Sequence, residues 1–134
     1  MKNQKIIRVR DVMKTDFATI EGVSTISEAV RVMKEQKTSV LIVNKRDEDD
    51  EYGLILAGDI ARHVLAKDRS PERVNVYEIM TKPIISMSPE MDIRYCSRMF
   101  ARYNLVRAPV LEHRVVIGTV SPISLVLDGL YNIC

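Results

Sequence analysis

One stretch of this chain is written twice. "DVMKTDFATIEGVSTISEAVRVM", residues 11–33, lies over "EIMTKPIISMSPEMDIRYCSRMF", residues 78–100, at a constant offset of 67, with Met13 on Met80, Thr25 on Asp92, Ile26 on Ile93, Ala29 on Cys96 and Met33 on Phe100. The offset reads as 68 where "SVLIVN" meets "RAPVLE", and as 65 where Gly53 meets Gly118, because the first copy has the longer loop "NKRDEDDEY". A repeat of this length sets the architecture before local propensity is consulted. The chain is read as one supersecondary unit made twice, residues 1–70 carrying the first copy with its N-terminal segment and residues 71–134 the second.

Within each copy the hydrophobic period changes in a fixed order. A short extended piece, "FATI" or "IISM", comes first. Thr25 is then followed three residues on by Glu28, the spacing at which hydroxyl and carboxylate satisfy each other's free backbone donors, so a helix is expected to start there. Ile26, Ala29, Val30 and Met33 recur at i, i+3, i+4 and i+7 and predict one apolar face; Ile93, Cys96, Met99 and Phe100 approximate it in the second copy. A buried strand ("VLIV", "APVL"), a turn, a second strand ("YGLIL", "VVIGTV") and a closing helix from Asp59 or Ser124 complete the unit. The fold class is therefore α+β, two β-α-β-β-α units. About 60 residues bury too little alone, so the two are expected to pack sheet to sheet with pseudo-twofold symmetry.

Composition removes several functions. The 20 Lys and Arg against 18 Asp and Glu leave a net charge of +2, too small to argue for nucleic acid. Arg94, Arg98 and Arg102 line up at i, i+4 and i+8, read as a solvated helix face rather than a phosphate-binding one. "KRDEDDE", residues 45–51, reads as a solvent-exposed hairpin loop that discourages association. No apolar run approaches the roughly 20 residues of a membrane span or the length of a signal peptide, which makes the cytoplasm the expected compartment. Cys96 and Cys134 form no CxxC and are read as free thiols. Neither His63 nor His113 has a partner at metal-ligand spacing, and no nucleophile motif, P-loop or GxGxxG is present, so no metal site and no catalytic residues are expected.

The order of elements, the openings "DVM" and "EIM", the "RAPVL" strand and the strand-Gly-x-x-x-x-x-Asp-helix turn resemble a tandem pair of cystathionine-beta-synthase (CBS) domains, the Bateman module, from about Val9 to Tyr131. The resemblance implies two clefts between the repeats that take adenosine-containing ligands such as AMP, ADP, ATP or S-adenosylmethionine, with no cofactor required. It also implies a flat homodimer assembled through helices that passes its state to an effector protein.

Family members carry Gly-h-h-(Thr/Ser)-x-x-(Asp/Asn) at the turn, h being apolar, the hydroxyl reaching phosphate and the carboxylate taking both ribose hydroxyls. "GLILAGD" keeps Asp59 but has Leu56 at the hydroxyl position; "GTVSPIS" keeps Ser121 but has Ser124 where the acid belongs. Arg107 stands where, in related pairs, a cation reaches phosphate held at the other repeat, so the resemblance pairs Asp59 with Arg107 in one cleft. The first-copy counterparts of Arg107, Thr38 and Ser39, are uncharged, which makes the Ser121/Ser124 cleft the weaker candidate, its alternative a vestigial or water-filled groove. Ala18 and Thr19, with Ile85 and Ser86, occupy the opening strands that face adenine in the family, or are plain strand residues. The alternative for Asp59 is an ordinary helix N-cap. The chain is thus read as a non-catalytic nucleotide sensor. The competing readings are a ligand-free dimeric scaffold with degenerate motifs and, last, nucleic-acid binding through the arginine stripe.

Overall fold

The computed structural model describes residues 5–133, so Cys134, expected as a free thiol, lies outside the described residues. Two compact units are present, one of residues 17–84 and the other of residues 5–16 with 85–133. The boundaries depart from the two sequence halves, which meet at residue 70, because each unit takes its short opening helix from the other half of the chain.

The 17–84 unit holds β1 (Thr19–Ile20), α1 (Ile26–Gln36), β2 (Val40–Val43), β3 (Gly53–Leu56), α2 (Ala57–Ile60) and α3 (Val76–Ile79). β1 pairs parallel with β2, and β2 antiparallel with β3, giving the order β1-β2-β3. Helix α1 starts at Thr25, whose hydroxyl accepts the Glu28 amide proton at 3.1 Å, and stops at Lys37 in the left-handed conformation. Its buried stripe is Ile26, Ala29 and Met33, packed in one cluster with Leu41, Val43, Ile55, Val64, Val74 and Val76. Val30, expected on that stripe, is half exposed.

The other unit holds α4 (Val9–Val12), α5 (Ile93–Tyr103), β4 (Ala108–Glu112), β5 (Val115–Val120) and α6 (Pro122–Ser124). Its core gathers Val9 and Val12 with Ile93, Cys96, Phe100, Val110, Val120 and Leu125. Burial pushes the Cys96 thiol up to about 11. The expected opening strand shrinks here to a single parallel bridge, Met87 to Val110. In the first copy the Ile42 amide donates to Ala18 at 3.0 Å, and the residue 67 further on from Ile42 is Pro109, which has no N–H to give. Met87 still donates to Pro109 O at 2.9 Å and accepts from Leu111 at 3.1 Å.

These registers correct the offset. Ile20 pairs with Val43 and Met87 with Val110; Gly53 faces Val43 and Gly118 faces Val110. Helix C-caps Lys37 and Asn104 are also 67 apart. The offset stays at 67 through the strand instead of stepping to 68, and the register shift between Val110 and Leu111 is a bulge that leaves Ile117 of β5 unpaired. Arg107 therefore stands at the place of Val40, not of Ser39.

The acidic loop is also more than a solvated turn. Asp50 is buried, its Oδ2 accepting the Arg46 amide at 2.9 Å and Arg46 Nε at 3.0 Å, its Oδ1 accepting Lys82 Nζ at 2.6 Å. Those two cations hold the Asp50 carboxyl far below the usual carboxylate range, with Arg46 the larger influence. A carboxylate enclosed by the loop is retained because two cations and a backbone amide replace its hydration.

Candidate functional site

Each unit presents one strand-to-helix turn, and the two turns are built alike. In the first, Leu56 ends β3 in an extended conformation and Ala57 opens α2. Asp59 is thus the third residue of the helix and not its N-cap, as the sequence alternative had it. Its Oδ2 accepts the Leu56 amide at 3.0 Å, its Oδ1 accepts Arg62 Nη2 at 2.7 Å, and the side chain is buried. A carboxylate with its four lone-pair sites keeps acceptor capacity after two bonds, and Arg62, largely solvated, is a partner a diol can displace.

In the second turn Ser121 is the N-cap and Ser124 the third helical residue after it. Ser124 Oγ accepts the Ser121 amide at 3.1 Å and donates to Ser121 O at 2.9 Å. The Ser124 amide in turn lies 3.4 Å from Ser121 Oγ. Both hydroxyls are engaged locally, and Ser124 is buried. Neutral groups serve the helix start here, so the turn lacks an anion for a ribose diol.

Thr38 belongs with the first turn. Its hydroxyl bridges the carbonyl and amide of Val40 at 3.1 and 3.3 Å, while Ser39 O accepts the Ala57 amide at 2.9 Å. Thr38, Ser39 and Ala57 share an open groove of about 320 Å³ with Val30, Met33 and Ile60. Thr38 and the Asp59 turn are accordingly brought to one end of the 17–84 sheet.

Arg107 belongs with the second turn. Ala108 faces Val120 in the β4–β5 ladder, and one further step of that register sets Arg107 opposite Ser121. Its Nε is enclosed and, among the described residues, has no hydrogen-bond partner. An enclosed donor without a partner costs about 1–3 kcal/mol, and more on a charged group.

The adenine candidates divide. Ala18 is half buried and its carbonyl is taken by Ile42; Thr19 is exposed and pairs with Ile42. Ile85 and Ser86 are exposed, and the ladder bond that occupies Ala18 O has no counterpart at Ile85, for the reason given by Pro109. On α5 the arginines behave differently from one another: Arg94 bonds Asp92 and the Lys5 carbonyl, whereas Arg98 and Arg102 are exposed. Among the described residues no cluster of three or more His, Cys, Asp or Glu side chains stands at metal-binding distance, and no helix is long and apolar enough to cross a membrane.

A repeated α+β unit, with a capped strand-to-helix turn in each copy, defines a tandem domain pair. The CBS domain model matches residues 9–66 and 76–127, and the chain belongs to the CBS-domain family. It is 27% identical over 124 residues to the CBS domain-containing protein YhcV of Bacillus subtilis, covering 92% of this chain and 86% of that one. Among solved structures it is similar to a hexameric CBS-CP12 protein from bloom-forming cyanobacteria, 34% identical with a TM-score of 0.91 over 95% of this chain and 70% of the other. The CBS domain pair of protein MJ0100, in complex with 5'-methylthioadenosine and S-adenosyl-L-methionine, shares the fold at 24% identity and a TM-score of 0.79, covering 96% and 98% of the two chains.

Proposed function

We propose that this chain is a non-catalytic regulatory module that senses an adenosine-containing ligand, AMP, ADP, ATP or S-adenosylmethionine, and passes its state to a partner protein from the cytoplasm as a homodimer. At the turn of the 17–84 unit Asp59 offers its remaining acceptor capacity to ribose hydroxyls; in the other unit Arg107 offers an anchor for phosphate or carboxylate, and Ile85 and Ser86 offer backbone groups to adenine. The observation that carries this reading is the enclosed Nε of Arg107, which has no hydrogen-bond partner among the described residues. Family membership and the ligands bound by the MJ0100 pair support it. The homodimer reading is supported by the apolar stripe of Ile123, Val126, Leu127, Leu130 and Tyr131, all substantially exposed.

The test is thermal and calorimetric titration with AMP, ADP, ATP and S-adenosylmethionine at about 1 mM, where a ligand with Kd near 10 µM raises stability by roughly 2.7 kcal/mol. Asp59→Ala and Arg107→Gln should each abolish the response. Absence of heat and of a Tm shift with all four ligands would overturn the reading.

A second reading, a ligand-free dimeric scaffold, is favoured by the local satisfaction of both turns, since Ser121 and Ser124 bond each other and Asp59 already has two donors. It requires that Asp59→Ala cost only helix-start stability and leave the oligomeric state unchanged.

A further inference from the structure

A second candidate binding site lies wholly within the 17–84 unit and shares no residue with the candidate nucleotide site. It is a cavity of about 440 Å³ beside the carboxyl ends of β1 and β2, within the volume range of small-molecule sites. Val23, Val43, Met80 and the Tyr77 ring give it an apolar lining.

Its polar groups are few and of both signs. Arg46 and Lys82 line it, both bonded to Asp50, and Asp47 is a further acid acting on Arg46. Arg46 uses its amide, Nε and Nη2 on Asp50, leaving Nη1 without a partner among the described residues; Lys82 uses one of three ammonium protons. Glu21, also in the lining, accepts Asn44 Nδ2 through Oε2 at 2.6 Å, and its Oε1 has no partner among the described residues.

The other repeat serves as an internal comparison. Shifted by 67, Tyr77 becomes Arg10, Val23 becomes Glu90 and Gly22 becomes Pro89. There the equivalent positions carry an exposed ion network, Arg10 bonding Glu90 at 3.1 Å and also Glu112. In the first repeat Tyr77 and Val23 stand in place of that ion pair, with Gly22 beside them, and all three line the cavity.

We propose that this cavity binds an α-amino acid with an apolar side chain, its carboxylate on Arg46 and Lys82, its ammonium on Glu21 and its side chain against Val23, Val43 and Met80. A zwitterion matches walls that carry both signs, and a compact apolar body matches the lining.

The experiment is an amide NMR titration of the full chain with L-leucine and L-phenylalanine. Saturable shifts are expected at residues 21–23, 43–46 and 77–82. Analogues that lack one charge, L-phenylalaninamide and 3-phenylpropionate, should each bind at least about tenfold more weakly. Gly22→Leu fills the cavity without a backbone clash, since a Cβ there meets only Tyr77 Cβ at 3.6 Å and Val43 Cγ1 at 3.7 Å; its otherwise unchanged spectrum should lose the response. The proposal is overturned if neither amino acid gives a saturable shift up to about 10 mM. It is equally overturned if both single-charge analogues bind as tightly, or if Gly22→Leu responds like the unsubstituted chain.

Discussion

Asp59 accepts the Leu56 amide proton at 3.0 Å through a carboxylate, and 65 residues on Ser124 accepts the Ser121 amide proton at 3.1 Å through a hydroxyl. One backbone requirement, a donor left over where a strand becomes a helix, is met by two chemistries. Only one of them also carries a negative charge, which the helix start does not need for capping and a ligand diol can use.

The two chemistries predict a graded series at position 59. Asp59→Ala should lower the unfolding free energy by about 1 kcal/mol, the usual effect of removing such an acceptor. Asp59→Ser, which copies the second turn, should recover more than half of that loss in urea denaturation while remaining unresponsive to nucleotide. Equal stability of the Ala and Ser variants would show that the Leu56 contact contributes nothing.

Glycine 118 should tolerate substitution worse than glycine 53. A Cβ on Gly118 would stand 2.8 Å from Lys14 O, a backbone atom held in the Lys14–Thr119 bridge, whereas on Gly53 the nearest atom is the movable Met80 sulfur at 2.8 Å. Gly118→Ala is expected to cost about 1–3 kcal/mol and Gly53→Ala less, as read from denaturant midpoints.

The Asp50 cluster sets an acid limit to stability. Because the folded carboxyl titrates well below its unfolded value, its contribution is present above about pH 4 and is lost as pH falls through the folded pKa. Asp50→Asn should lower Tm at neutral pH and flatten the decline of Tm between about pH 4 and pH 2. A variant with the same acid slope as the unsubstituted protein would assign the decline to other carboxylates.

Cys96 sets an alkaline one. Its thiol is raised to about 11 from an ordinary 9.0 by burial, so the unfolded chain deprotonates first and stability is expected to fall between those values. The loss amounts to roughly 2–3 kcal/mol across that span, and Cys96→Ala should show a shallower fall in Tm over it. In a Cys134→Ser background Cys96 should stay silent to thiol reagents at pH 8 until the protein is denatured.

Much of this protein was readable in its sequence, because repeat, period and capping are properties of neighbouring residues. The doubled pattern placed α1 and α5, the Thr25 cap and the paired turns at Asp59 and Ser124. Local pattern failed where the deciding contact is distant or the register subtle. It set Arg107 against Ser39 when the ladders match it to Val40, and it read Asp50 as solvated because nothing near residue 50 announces Lys82.

Met13 and Met80 were recognisable as equivalents, as were Gly53 and Gly118, yet which methionine meets which glycine was decided by tertiary structure alone. Met80 packs on Gly53 and Met13 on Gly118, so each short helix before those methionines is shared with the unit that lies further along or back in the chain. Side-chain period is a local quantity that any single copy can display. The partner of a docked segment depends instead on which of two nearly identical surfaces it reaches, and only the folded chain makes that choice.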